Sequence, residues 1–186
     1  MKIVSGGQTG VDRAALDVAL KHGIECGGWC PTGRLDESGR IPAQYPVQQL
    51  EAGGFGERTL QNVKDSDGTL IIYPGKLGGG TEQTVRSCIE LQRPHQLIDA
   101  SKVSGEDDAK LIARFVREHK IDNLNVAGPR QSEWPEGYDF ASRALDIFLT
   151  LCSHRPVGGQ EEPAHRAVAT DHSYRSALTG SKRAAK

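Results

Sequence analysis

Twice in this chain a short β-type run passes through a glycine-rich turn into a helical pattern. Lys2-Ile3-Val4 leads through Ser5-Gly6-Gly7-Gln8-Thr9-Gly10-Val11-Asp12 into the helical run 14–20. Thr69-Leu70-Ile71-Ile72-Tyr73 leads through Pro74-Gly75-Lys76-Leu77-Gly78-Gly79-Gly80-Thr81 into a helix whose apolar positions are Val85, Cys88 and Ile89. Strands that alternate with helices pair in parallel and cover both sheet faces with helices. A glycine turn at such a junction lets backbone approach a ligand, and the helix behind it presents unpaired N–H groups and the positive end of a dipole. That combination suits a phosphate or another oxyanion.

The alternation continues. Cys26-Gly27-Gly28-Trp29-Cys30, Gln96-Leu97-Ile98-Asp99 and Asn123-Leu124-Asn125-Val126-Ala127-Gly128 read as further strands. A short helix over 59–64, with Thr59 as its cap, precedes the strand at 69–73. Ser104-Gly105-Glu106-Asp107 opens an acidic helix with Ile112, Phe115 and Val116 as its buried stripe. The last helix carries Ala141, Ala144, Leu145, Phe148, Leu149 and Cys152 on one face. The expected fold is a three-layer α/β Rossmann-like domain over residues 1–152, with a mainly parallel sheet of about five strands. Residues 31–57 lack clear periodicity, as functional loops of that length often do. From Ser153 onward periodicity stops, and 153–186 reads as a flexible, disordered C-terminal tail.

A net charge of −1 gives no reason to expect bulk nucleic-acid or anionic-membrane binding. No apolar run approaches the roughly 20 residues that span a bilayer, and no signal peptide is visible, so a cytoplasmic location is expected. The four cysteines form no C-x-x-C pair and read as small buried residues. The tail's three histidines fit no ligand spacing, so no metal site is expected. No Ser-His-Asp or Cys-His set is visible, and His22, His95 and His119 fall on the side of the sheet away from the glycine turns.

The expected ligand crevice lies at the carboxyl ends of the strands. Its donors are Gly6, Gly7, Gln8, Thr9 and Gly10 from the first turn and Gly78, Gly79, Gly80 and Thr81 from the second. A plainer use of the same glycines is a tight turn and close helix packing. Asp12 can bind a ribose hydroxyl or a metal, or simply complement the helix dipole. Arg34, after Pro31-Thr32-Gly33, is placed to fork onto a phosphate, or to lie on the surface. Lys76 adds charge or is solvated. Asp65 and Asp67 read as structural turn residues. The first turn is neither G-x-G-x-x-G nor G-x-x-x-x-G-K-[ST], so neither a standard dinucleotide fold nor an NTPase is indicated.

The set Ser5 to Asp17, Gly27 to Arg34, Ile41-Pro42, Tyr45-Pro46, Arg58-Thr59, Asn62-Val63, Asp65 to Thr69 and Gly79-Gly80-Thr81 resembles the putative molybdenum carrier family. That family is the circularly permuted YpsA-like branch of the SLOG superfamily, which includes the LOG proteins. The resemblance covers about residues 2–150. It implies a Rossmann-like fold, a crevice for a nucleotide or nucleotide derivative, a molybdenum cofactor or a nucleotide as cargo, and a homo-oligomer. LOG enzymes that cleave nucleoside monophosphates carry P-G-G-x-G-T-x-x-E. Here Thr84 stands at the glutamate's position, and Glu82, two residues earlier, points about 200° away from it on a helix. Thr32 likewise stands where the family pattern leads one to expect lysine. The expectation is therefore a binder, a carrier or sensor. The alternative is a LOG-type nucleotide or N-glycoside hydrolase with Asp12 or Glu82 as its acid.

Overall fold

A computed structural model of the chain describes residues 1–102 and 106–153. The elements in order are β1 (Lys2–Val4), α1 (Val11–Lys21), β2 (Cys26–Cys30), β3 (Leu35–Asp36), β4 (Gly39–Arg40), β5 (Val47–Gln49), α2 (Phe55–Lys64), β6 (Gly68–Tyr73), α3 (Gly79–Glu90), β7 (His95–Asp99), α4 (Glu106–Glu118), β8 (Asn123–Ala127) and α5 (Gly137–Ser153). The main sheet has six parallel strands in the order β5-β2-β1-β8-β6-β7. Helices α1, α4 and α5 pack together, as do α2 and α3. The expected three-layer Rossmann-like architecture is what the chain forms.

The central strands are apolar because both of their faces are covered. Leu70, Ile71 and Ile72 of β6 and Leu124 and Val126 of β8 are buried. From the helices, Val11, Ala14, Leu16, Ile112, Phe115, Leu145 and Phe148 complete the core. Asp67 Oδ2 accepts the N–H groups of Asp122 and Asn123 at 3.1 and 2.7 Å, which sets the start of β6 beside β8. The structural reading of Asp67 therefore holds. Asp65 is structural too, since its Oδ2 accepts the Trp29 indole N–H at 2.7 Å.

Five strands were expected and the sheet has six. Val47-Gln48-Gln49 adds an edge strand, pairing Gly28, Trp29 and Cys30. Only Val47 of the three is buried, so the sequence carries no alternation to signal it. The segment 31–57 also holds the β3–β4 hairpin, in which Leu35 pairs Arg40 and Asp36 pairs Gly39. Helix α2 starts at Phe55, four residues before the expected cap. Gly54 donates its N–H to Glu57 Oε2 at 2.8 Å, and the Thr59 hydroxyl bonds back to Phe55 O within the helix.

Helix α5 runs one residue past the expected domain end, and Cys152 on it is exposed rather than part of the buried face. The other three cysteines are buried, as expected. The tail 154–186 and the helix start at Ser104-Gly105 lie outside the described residues. Among the described residues no helix is long and apolar enough to cross a membrane.

Candidate functional site: a crevice between two glycine turns

The sheet order reverses around β1, β8 and β6, and the carboxyl ends of these strands open into a cavity of about 290 Å³. Its walls include Gln8 and Asp12 from the first turn, Gly79 to Thr81 and Thr84 from α3, Arg58 and Thr59 from α2, and Gly128 after β8. A crevice at such a reversal is where open α/β sheets bind ligands.

The two glycine turns do different jobs there. A Cβ on Gly6 would overlap the Arg58 guanidinium, and one on Gly10 would fall 2.6 Å from Pro129 O. Gly7 lies against Ile41 and Val47. The first turn therefore cradles the protein's own arginine and its own 129–131 backbone. Thr9 is also occupied, since its hydroxyl donates to Glu37 Oε1 and accepts the Gln131 N–H. Gly6, Gly7, Thr9 and Gly10 were expected to face an anion, but they do not line the crevice. Of that turn's candidates, only Gln8 and Asp12 do.

The second turn is open. Nothing lies within 4 Å of a Cβ built on Gly78 or Gly80, and Gly79 takes a positive φ of 51°. Helix α3 starts here without a side-chain cap, so its first N–H groups have no helical partner. The turn is braced by Asp99 Oδ1, which accepts the Gly75 N–H at 2.8 Å. Three threonines line the cavity. Thr59 and Thr84 donate their hydroxyls to the carbonyls four residues earlier, at 2.9 and 3.0 Å. Thr81 is only 3% exposed, and its Oγ1 has no partner.

Arg58 is a crevice donor beyond those expected from the sequence. Its Nη1 meets Asp12 Oδ2 at 3.0 Å, with side chains 12% and 3% exposed, and its buried Nε has no partner. Burial pushes the Asp12 carboxyl above its ordinary value, against the pull of Arg58 and of the Gln8 and Gly128 N–H groups. Arg58 was visible in the sequence at the helix opening; its partner, 46 residues earlier, was not.

Arg34 is placed elsewhere. Its guanidinium donates to the carbonyls of Pro42, Tyr45 and Val47 and so braces the 42–47 segment. It is not among the residues that line the crevice. Glu82 is likewise turned away. It pairs with Arg86 at 2.6 Å and lines a neighbouring groove of about 650 Å³ between α2 and α3. Lys76 is exposed.

The tip of the β3–β4 hairpin closes the far side of the first turn. The Glu37 carboxylate accepts hydrogen bonds from the Thr9 and Ser132 hydroxyls and from the Ser132 N–H. Asp36 pairs with Arg13 at 2.7 Å, and Arg13 stacks on the Tyr45 ring. Burial raises the Glu37 carboxyl, but the Ser132 and Thr9 hydrogen bonds and the Arg130 charge bring it below its ordinary value.

A family model described as the circularly permuted YpsA SLOG family matches residues 3–149. The chain belongs to that family. Within this SLOG family, the chain is similar to a crystal structure described as a putative molybdenum carrier protein from Syntrophus aciditrophicus SB. The two share 48% identity over 80% of this chain and 94% of that one, with a TM-score of 0.78. Comparison with the curated proteins gives no significant match. The SLOG motif residues quoted from the sequence now have structural places. Asn62 holds the Trp29 backbone through both its N–H and its carbonyl, Asp65 holds the Trp29 ring, and Arg58 joins Asp12.

Proposed function

We propose that the crevice binds a phosphate-bearing, nucleotide-derived small molecule and that the protein carries or senses this molecule. The phosphate sits on the N–H groups of Gly79, Gly80 and Thr81, with the Thr81 hydroxyl and the Arg58 guanidinium as further donors. Gln8 and Asp12 are placed to meet the remainder. The observation that carries this reading is the buried Thr81 hydroxyl. A polar atom out of water without a partner costs about 1–3 kcal/mol, and here it lies beside an uncapped helix start. The relative described as a molybdenum carrier supports a carrying role. A molybdenum cofactor, whose organic part ends in a phosphate, suits the same donors as cargo.

Thr81→Val tests the reading. It keeps the shape and removes the hydroxyl, so thermal stability should stay level or rise. Affinity for ribose 5-phosphate by calorimetry should fall about tenfold, the worth of one hydrogen bond to a charged group. Undiminished affinity would remove this site from consideration.

The hydrolase alternative retains one acid in the crevice, Asp12, whose carboxyl burial holds up. Release of free base from a nucleoside monophosphate, lost in Asp12→Asn, would favour it over the carrier. Assembly into a homo-oligomer is part of the proposal, on the strength of the resemblance, and light scattering on the eluting protein measures it directly.

A further inference from the structure

We propose that Phe55 is the platform on which a flat ring of the ligand stacks, so that the crevice takes a phosphomonoester bearing an aromatic heterocycle rather than a bare sugar phosphate. This inference rests on the reading of the crevice as a phosphate site.

Phe55 is the first residue of α2 and is 49% exposed, yet its side chain lines the same cavity as Thr81 and Arg58. Leaving half of a phenylalanine in water forgoes about 1 kcal/mol of burial. The inward face of α2 is Thr59, Asn62 and Val63. Phe55 stands one turn before Thr59 on that face, where the helix runs past the strand ends. Phe55 thus borders the crevice while about half of it stays exposed.

The residues flanking the ring carry no side chains of their own, although Leu50 and Glu57 close on Gly53 and Gln83 closes on Gly56. Gly53 and Gly54 precede the ring and Gly56 follows it. Gln83 lines the same cavity and can offer its amide to ring N–H groups, while the Glu133 oxygen near Gly79 is held by Arg130 at 2.9 Å. Gly79 and Gln83 line both this cavity and the neighbouring α2–α3 groove. A molecule anchored by phosphate at Thr81 thus has room to lay a ring over Phe55. Stacking of a heterocycle on an aromatic side chain contributes about 1–3 kcal/mol.

Wild type, Phe55→Ala and Phe55→Trp are titrated with guanosine 5′-monophosphate and with ribose 5-phosphate. Phe55→Ala should weaken the nucleotide about tenfold and leave ribose 5-phosphate within about twofold, while Phe55→Trp keeps the nucleotide affinity. An unchanged nucleotide affinity in Phe55→Ala, or equal losses for both probes, overturns the platform. So does a Phe55→Ala protein that elutes as a smaller species with nucleotide affinity intact, which would assign the ring to a contact between copies. If neither probe binds wild type, the phosphate reading itself fails. If ribose 5-phosphate binds and the nucleotide ignores Phe55→Ala, only the platform fails.

Discussion

The Arg58 guanidinium and the Asp12 carboxylate, 3.0 Å apart, tie the start of α2 to the start of α1 across the crevice. Both side chains are nearly buried, so each depends on the other for compensation of its charge. Asp12→Ala should cost about 3–5 kcal/mol in urea unfolding, because it leaves a buried guanidinium unpaired. The pair of changes Asp12→Leu and Arg58→Met should cost less together than Asp12→Ala alone. A double variant as unstable as the sum of its singles would show that the two groups act independently.

Gly6→Ala is expected to act on binding and, through the broken Asp12–Arg58 pair, on stability as well. Gly6 has no left-handed backbone to strain, and the atoms its Cβ would strike belong to the Arg58 guanidinium. The guanidinium swings away and Asp12 loses its partner. Circular dichroism should stay native while ribose 5-phosphate affinity falls about as far as in Arg58→Met. Wild-type affinity in Gly6→Ala would mean that Arg58 does not serve the ligand from its present position.

The Glu37 latch should respond to acid. Its carboxyl titrates below the ordinary value of 4.5 in the folded protein. The stability it contributes is therefore fully present above about pH 4.5 and is lost as pH falls through the lowered folded value. Wild type should exceed Glu37→Gln in stability at pH 7, and the gap should close on acidification below that point. A gap that widens with acid would contradict the latch. Hydrogen exchange at residues 37 and 132 reads the same event locally.

Arg34→Met should lower stability by about 2 kcal/mol through its three carbonyl contacts. Ribose 5-phosphate affinity should stay at the wild-type level wherever the variant is folded. A selective loss of affinity would return Arg34 to the crevice.

The fold was legible where apolar runs were long enough to show a period. β6, with five buried positions, and the helices α4 and α5 announced themselves. β5 did not, because an edge strand of three residues with one buried side chain leaves no pattern. The hairpin β3–β4 is shorter still and polar. The site was legible in its location but less so in its chemistry. Glycines at a strand–helix junction admit close approach, and sequence does not say of what. At Gly6 and Gly10 the visitor is the chain itself. At Gly78 and Gly80 the space is open. The Asp12–Arg58 pair and the Glu37 latch join residues 46 and 95 positions apart through the fold alone.

The central place of β8 sets the order in which the protein becomes competent. Among the described strands this one, Asn123–Ala127, is the last to be synthesised, yet it stands between β1 and β6. A ribosome-bound chain that ends before residue 123 holds two half-sheets with apolar edges and no floor between the two glycine turns. Gly128, which gives Asp12 one of its N–H bonds, comes later still. A product terminated before residue 123 lacks the strand between β1 and β6, leaves their edges unpaired and never forms the crevice.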